Sequence, residues 1–340
     1  MLSLHPELLL NNVFLFGKMQ LNILKSKIFF FLRVVLSCAI LFYLVTFLDW
    51  ERIKGVMPQL RLEYIWQGFI CLFISIFIMS IRWSVLLHQF SIKQSIMDSW
   101  RFYLIGFFYG ILLPGVVGGD IVRLGLSVKE HRGGKTFLAT SVFFERSCGL
   151  LVILMIAAVA VLLSPSLLQG EPVLLNSISI FALVFILIFF IFFVAIKFIP
   201  DGMLTVNIDH GKTYSTLIDL LHHFKRMSFK VIILILSLSF LAHAMDILGS
   251  YYLAKALHIN QPLSFFFIVI PVVYMATLLP ISLGGLGIRE GVLAFLLINA
   301  GVPGSDAVLL GFLIYINRVV FALLGGGLHM FGSCIVSDAK

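Results

Sequence analysis

Charge is what this chain has least of. Of 340 residues, 24 are Lys or Arg and 16 are Asp or Glu, together 12% of the chain. A soluble domain carries about 25%. Hydrophobic residues make up 61%, well above the roughly 45–50% of globular proteins, so a soluble fold is excluded. Cysteine is sparse too. Cys38, Cys71, Cys148 and Cys334 lie scattered in or beside apolar segments, and no CxxC pair exists. Neither a metal site nor a disulfide framework follows from that pattern, and no cofactor motif is present. His222–His223 has no ligand-spaced partner. The apolar run LLLNNVFLF near the start is short, and no small-residue cleavage site follows it, so no signal peptide is expected. Met19 is an alternative start. The net charge of +8 points to basic loops on one side of a membrane rather than to a nucleic-acid partner.

Long apolar runs are what the chain has in abundance. A spanning helix needs about 20 apolar residues, and residues 28–48, 63–81, 136–163, 173–196, 231–256 and 306–329 are of that kind. Residues 102–113, 264–280 and 288–300 are apolar but interrupted. We therefore expect an all-α, polytopic membrane protein: an N-terminal cytoplasmic extension over 1–27, then a single integral-membrane domain over 28–336. Lys and Arg orient the spans. Loops 164–172, 257–263 and 301–305 contain neither residue, whereas 128–135 and 197–230 are basic, as is the N-terminal lead with Lys18, Lys25 and Lys27. The basic set is assigned to the cytoplasm, and both termini with it. Residues 49–62 are an exception, because they hold Arg52, Lys54 and Arg61 yet fall on the outer side. Arg33, near the cytoplasmic end of its span, is expected to snorkel.

One stretch occurs twice. LLPGVVGGDIVRLGL at 112–126 aligns without a gap on LLPISLGGLGIREGV at 278–292, matching Pro114 with Pro280, Gly118 with Gly284, Gly119 with Gly285 and Arg123 with Arg289. Proline and paired glycines, with Gly287 in the second copy, should break each helix within the membrane. Backbone exposed at that depth is tolerated only against protein or a water-filled cavity. The first copy lies between cytoplasmic stretches and the second between outer loops. The charge pattern therefore predicts two re-entrant broken hairpins in an inverted-topology repeat, with a site near the midplane.

The charged residues inside these segments are the candidate site. Arg123 and Arg289 fall in the first turns of restarted helices, where free N–H groups and the helix dipole favour an anion and a guanidinium fork suits phosphate. In the alternative reading each arginine pairs with a neighbouring acid, Asp120 or Glu290, and holds its hairpin together; Asp120 by itself reads as an N-cap. Glu145–Arg146 and Asn317–Arg318 interrupt later spans, where a charge costs about 2.5–3.5 kcal/mol on insertion scales. Either they face a cavity or they form buried ion pairs, and Glu145 is placed to neutralise a repeat arginine. His243 and Asp246 share a helix face and suit a proton relay or an interhelical hydrogen bond.

LLPGVVGGDIVRLG, FFERSCGL, LPISLGGLGIREGVL and INRVV together resemble the transmembrane, flippase-like region of lysylphosphatidylglycerol synthases and its stand-alone relatives. The resemblance covers nearly all of residues 28–330. In the bifunctional relatives an aminoacyl-transferring cytosolic domain follows this region. Here the chain stops at Lys340, so a stand-alone relative without aminoacyltransferase activity is expected. What the resemblance implies is translocation of a lipid across the bacterial cytoplasmic membrane; our leading reading of the residues is a phosphate-bearing headgroup held by Arg123, Arg146, Arg289 and Arg318 in a cavity between the two hairpins. The partners it implies are a membrane lipid and, beyond that, a second copy of the chain or a lipid-synthesis enzyme. A lipid-linked transferase and an accessory subunit that presents lipid to a separate synthase are the alternatives. The outer loops offer only Asp49, Glu51, Glu171 and a few terminal positions as acids, which weighs against the transferase.

Single cysteines introduced into 128–135 and into 301–305 test the predicted topology. They should react with an impermeant thiol reagent from opposite sides of the membrane, and labelling of both from one side contradicts the inverted arrangement.

Overall fold

The computed structural model describes residues 34–46, 48–89, 92–113, 118–131, 135–163, 227–278 and 285–337, with a few single positions between them. The N-terminal extension, Arg33, most of the apolar run 173–196, and Pro114, Pro280 and Gly284 lie outside the described residues. Among the described residues every regular element is helical. We number the helices in chain order: α1 Val34–Val45, α2 Trp50–Val56, α3 Leu62–Gln89, α4 Ile96–Leu112, α5 Gly118–His131, α6 Lys135–Leu163, α7 Phe229–Ala256, α8 Leu263–Leu278, α9 Ile288–Asn299 and α10 Gly304–Ser337.

Four of these helices are long and apolar enough to cross a membrane, namely Leu62–Gln89, Leu138–Leu163, Phe229–Ala256 and Gly304–Met330. At about 1.5 Å per residue, even the shortest exceeds the roughly 30 Å hydrocarbon core. α3 runs eight residues past its expected end and so takes Arg82 inside the bundle. α4 starts six residues before its expected start, where Ser95 caps the N–H of Asp98 at 3.0 Å. The segment expected as an outer loop, 49–62, is instead largely helical. Asp49 accepts the N–H groups of Glu51 and Arg52 and so starts α2, which is bent 76° from α1. Two of its three cations, Arg52 and Lys54, are paired with acids. Arg52 bonds both oxygens of Asp306, at 2.8 and 2.6 Å, and Lys54 lies 2.9 Å from Glu51.

Direct bonds gather the segments at one end of the bundle. The Arg61 N–H donates to the Ala256 carbonyl at 3.4 Å, the His258 ring meets the Gln59 carbonyl at 3.0 Å, and the Gln261 amide donates to the Ala300 carbonyl at 2.9 Å. Away from these bonds, Ile92, Val128 and Met227 share one apolar cluster with Trp83 and Leu138. In the body of the bundle α3 packs along α7, α10 along α4, and α8 along α6.

Small residues set the closest approaches, as expected where apolar lipid supplies no hydrophobic drive for helix association. A Cβ on Gly119 would collide with the Gly106 carbonyl, and one on Gly325 with the Leu104 carbonyl. α5 and α10 therefore both lie against the backbone of α4. Gly118 and Gly119 were expected in a helix break, but they form the first turn of α5, and their smallness serves packing. Gly119→Val should sharply lower the detergent-solubilised unfolding temperature. Gly125→Ala, where nothing lies within 4 Å, should leave it unchanged or raise it slightly, since Ala stabilises a helix interior by about 0.5–1 kcal/mol over Gly.

Candidate functional site

Residues in or beside both repeated motifs, among them Ile111, Gly119, Leu278 and Leu286, and polar side chains of the long helices line one cavity of about 430 Å³. Five arginines line it: Arg82 from α3, Arg123 from α5, Arg146 from α6, Arg289 from α9 and Arg318 from α10. Three carboxylates face them, Asp120, Glu145 and Asp246, together with His243, Tyr103, Tyr274 and Tyr315.

Glu145 is the hub of one cluster. Its Oε1 accepts from Arg82 Nη2 at 2.8 Å and from the Tyr103 hydroxyl, and its Oε2 accepts from Arg123 Nη2 at 2.8 Å. Arg82 also donates to Ser239 Oγ at 2.8 Å, which ties α3 to α7. The Arg123 guanidinium lies 4.3 Å from the Trp83 ring centre and 4.1 Å from that of Tyr103, so cation–π attraction adds to the ion pair. Asp120, expected as an N-cap, is an ion-pair acceptor. It sits 3.3 Å from Arg123 and 2.7 Å from Arg146. The i,i+3 spacing brings Asp120 and Arg123 onto one helix face, and the carboxylate reaches sideways to α6.

The second cluster is simpler. Asp246 of α7 accepts from Arg318 Nη2 at 2.8 and 3.1 Å, and Arg318 also bonds the Tyr274 hydroxyl. His243 and Asp246 both line the cavity, yet among the described residues no bond joins them; Asp246 is taken by Arg318, and His243 faces the Tyr274 ring at 6.3 Å. Glu290 does not pair with Arg289. Its Oε2 accepts the Gly287 N–H at 2.7 Å, and it packs against Gly311 of α10. Gly287 has φ +85° and Gly285 has φ +81°. Both lie in a region that side chains disfavour, and they shape the turn that aims α9 at the cavity. Among the described residues Arg289 has no carboxylate within ion-pair distance, and its buried Nε has no hydrogen-bond partner.

The rim differs from the floor. Phe143, Arg146 and Leu278 border the cavity and are exposed on the surface of the chain. A charged interior thus opens past apolar side chains. Among the described residues no group of three or more His, Cys, Asp or Glu side chains could hold a metal. The site residues named from the sequence that line this cavity are Gly119, Asp120, Arg123, Glu145, Arg146, His243, Asp246, Arg289 and Arg318. Glu290 lies behind it. Sequence reasoning missed Arg82, Tyr103, Tyr274 and Tyr315. The signal for Arg82 was its place at the end of an apolar run that had no helix stop after it.

The profile of the lysylphosphatidylglycerol synthase TM region matches residues 30–326. The chain belongs to that family. No curated protein and no solved structure matches the chain significantly.

Glu145 holds two arginines from different helices, and removing one partner of a buried pair costs about 3–5 kcal/mol. Glu145→Gln should therefore destabilise the purified protein strongly, as measured by its thermal unfolding. Substituting Glu51, paired only with Lys54 at the surface, should leave unfolding essentially unchanged.

Proposed function

We propose that this member of the lysylphosphatidylglycerol synthase TM-region family translocates a phosphate-bearing lipid across the bacterial cytoplasmic membrane. The observation that carries this reading is the cavity itself. Five arginines line one chamber among helices long enough to span a bilayer, and apolar side chains flank its opening. A phosphate leaving water needs fixed cationic partners, because an unpaired buried charge is costly. Acyl chains need no such partners and remain in the bilayer beyond Phe143 and Leu278.

The two hairpins enter, in this proposal, from opposite faces. The bonds among 49–62, 257–263 and 300–306 support it, because they gather the outer approaches to the second hairpin. The cluster of Ile92, Val128 and Met227 supports it in the same way for the cytoplasmic flanks of the first. Rocking of one half against the other around the cavity then gives alternating access. Both termini are cytoplasmic. Binding rather than chemistry is favoured by the state of the carboxylates: Asp120, Glu145 and Asp246 are all engaged by arginines, and so are poorly placed to act as a general base.

The test is reconstitution into liposomes carrying fluorescent anionic, aminoacylated or polyprenyl-linked lipids, with an impermeant quencher outside. At least one phosphate-bearing lipid should become accessible faster than in empty liposomes. Arg318→Ala should slow that exchange while the protein still inserts. Exchange no faster than in protein-free liposomes for every lipid in the panel counts against translocation and favours a subunit that only presents lipid.

A further inference from the structure

The two copies of the repeat are alike in sequence and equal in formal charge, and they differ in how their arginines are paired. In the first copy Arg123 is caged: Asp120 and Glu145 neutralise it, and two rings sandwich it. In the second copy each counterpart is missing. The residue three before Arg289 is Leu286, where the first copy has Asp120. The residue before Arg318 is Asn317, where α6 has Glu145 before Arg146. The Asn317 amide is directed away, donating to the Gly68 carbonyl at 3.3 Å. Glu290 is committed to the Gly287 N–H. The remaining cavity arginines, Arg82, Arg146 and Arg318, each have a carboxylate within 2.8 Å. Among the described residues Arg289 is the cavity arginine with no carboxylate at ion-pair distance; it lines the cavity wall, and its Nε is buried and unbonded, as are those of Arg82 and Arg123.

We infer that Arg289, at the N-terminus of α9, is the residue that takes the anionic phosphate of the ligand, and that Arg123 is a positioning residue that holds α5 to α6. This rests on the reading of the cavity as a headgroup site. A guanidinium with no carboxylate at ion-pair distance in a low-dielectric chamber is a strong attractor there for an anion. Arg123 already has its anions. A phosphate reaching it must displace Glu145 or Asp120, which strands a carboxylate. The ligand class is therefore one with an accessible phosphate, either a lipid headgroup or the free ion.

The experiment uses the full chain, purified in phosphatidylcholine nanodiscs, with phosphatidate and inorganic phosphate as probes. Wild type should bind phosphatidate above the phosphatidylcholine background. Arg289→Gln should weaken that binding about tenfold or more, the size expected when bonds to a charged group are lost, with its unfolding temperature near wild type. Arg289→Lys should recover part of the affinity. Leu286→Asp, which supplies the missing counter-ion at the spacing seen for Asp120, should weaken binding to a similar degree without touching the arginine. Arg123→Gln should instead lower the unfolding temperature. Competition by inorganic phosphate at matching concentrations assigns the site to the free ion, and binding of the lipid alone assigns it to a headgroup; both support the anion site. Unchanged phosphatidate binding in Leu286→Asp and in folded Arg289→Gln overturns it. Phosphatidate bound through Arg289 but no lipid moved in liposomes removes translocation and leaves this inference standing. Lipid moved without anionic preference and without loss in Arg289→Gln does the reverse.

Discussion

Glu145 is a carboxylate with no access to solvent, held by arginines from two other helices. The rest of the site depends on that arrangement. Arg82 fixes α3 to α6 through it and α7 through Ser239, and Arg123 fixes α5. None of these charges is tolerable alone at membrane depth, so the helices must assemble in the one register that pairs them. Breaking such a pair costs more than making it yields, which makes the cluster a specificity device for the bundle as much as a source of stability.

That clamp has a consequence for the hairpins. Gly119 lies against Gly106, and Gly325 against Leu104, so α4 is pinned between α5 and α10. The first hairpin is tied by ion pairs and by backbone contact. The second is held by apolar packing of α8 and α9. Gly285 and Gly287 adopt positive φ, Glu290 caps the start of α9, and Arg289 is left without a carboxylate. Unequal pairing of the two repeat arginines suits the proposed ligand, because an anion bound at an arginine without a carboxylate partner displaces nothing.

Much of this was legible from residue order alone. Hydropathy located the four long helices, since 20 apolar residues leave few alternatives in a bilayer. The repeated proline, glycines and arginine marked the segments that converge on the cavity. Three features were not legible, each for a physical reason. Asp120 reads locally as a cap, and its pairing with Arg146 depends on how α5 packs against α6. Arg82 reads as a flanking charge until α3 is seen to continue to Gln89. Arg289 and Glu290 are adjacent in sequence and of opposite charge, yet consecutive helical positions point about 100° apart, and the Gly287 N–H takes the acid. Adjacency in sequence predicted a pair that helix geometry prevents.

The most direct measurement is an electron cryo-microscopy reconstruction of the protein in nanodiscs that contain an anionic phospholipid. The account predicts density for a headgroup inside the chamber beside Arg289, continuous with acyl chains that leave past Phe143 and Leu278. A chamber filled only by water or side chains, with lipid ordered solely around the outside of the bundle, would contradict it.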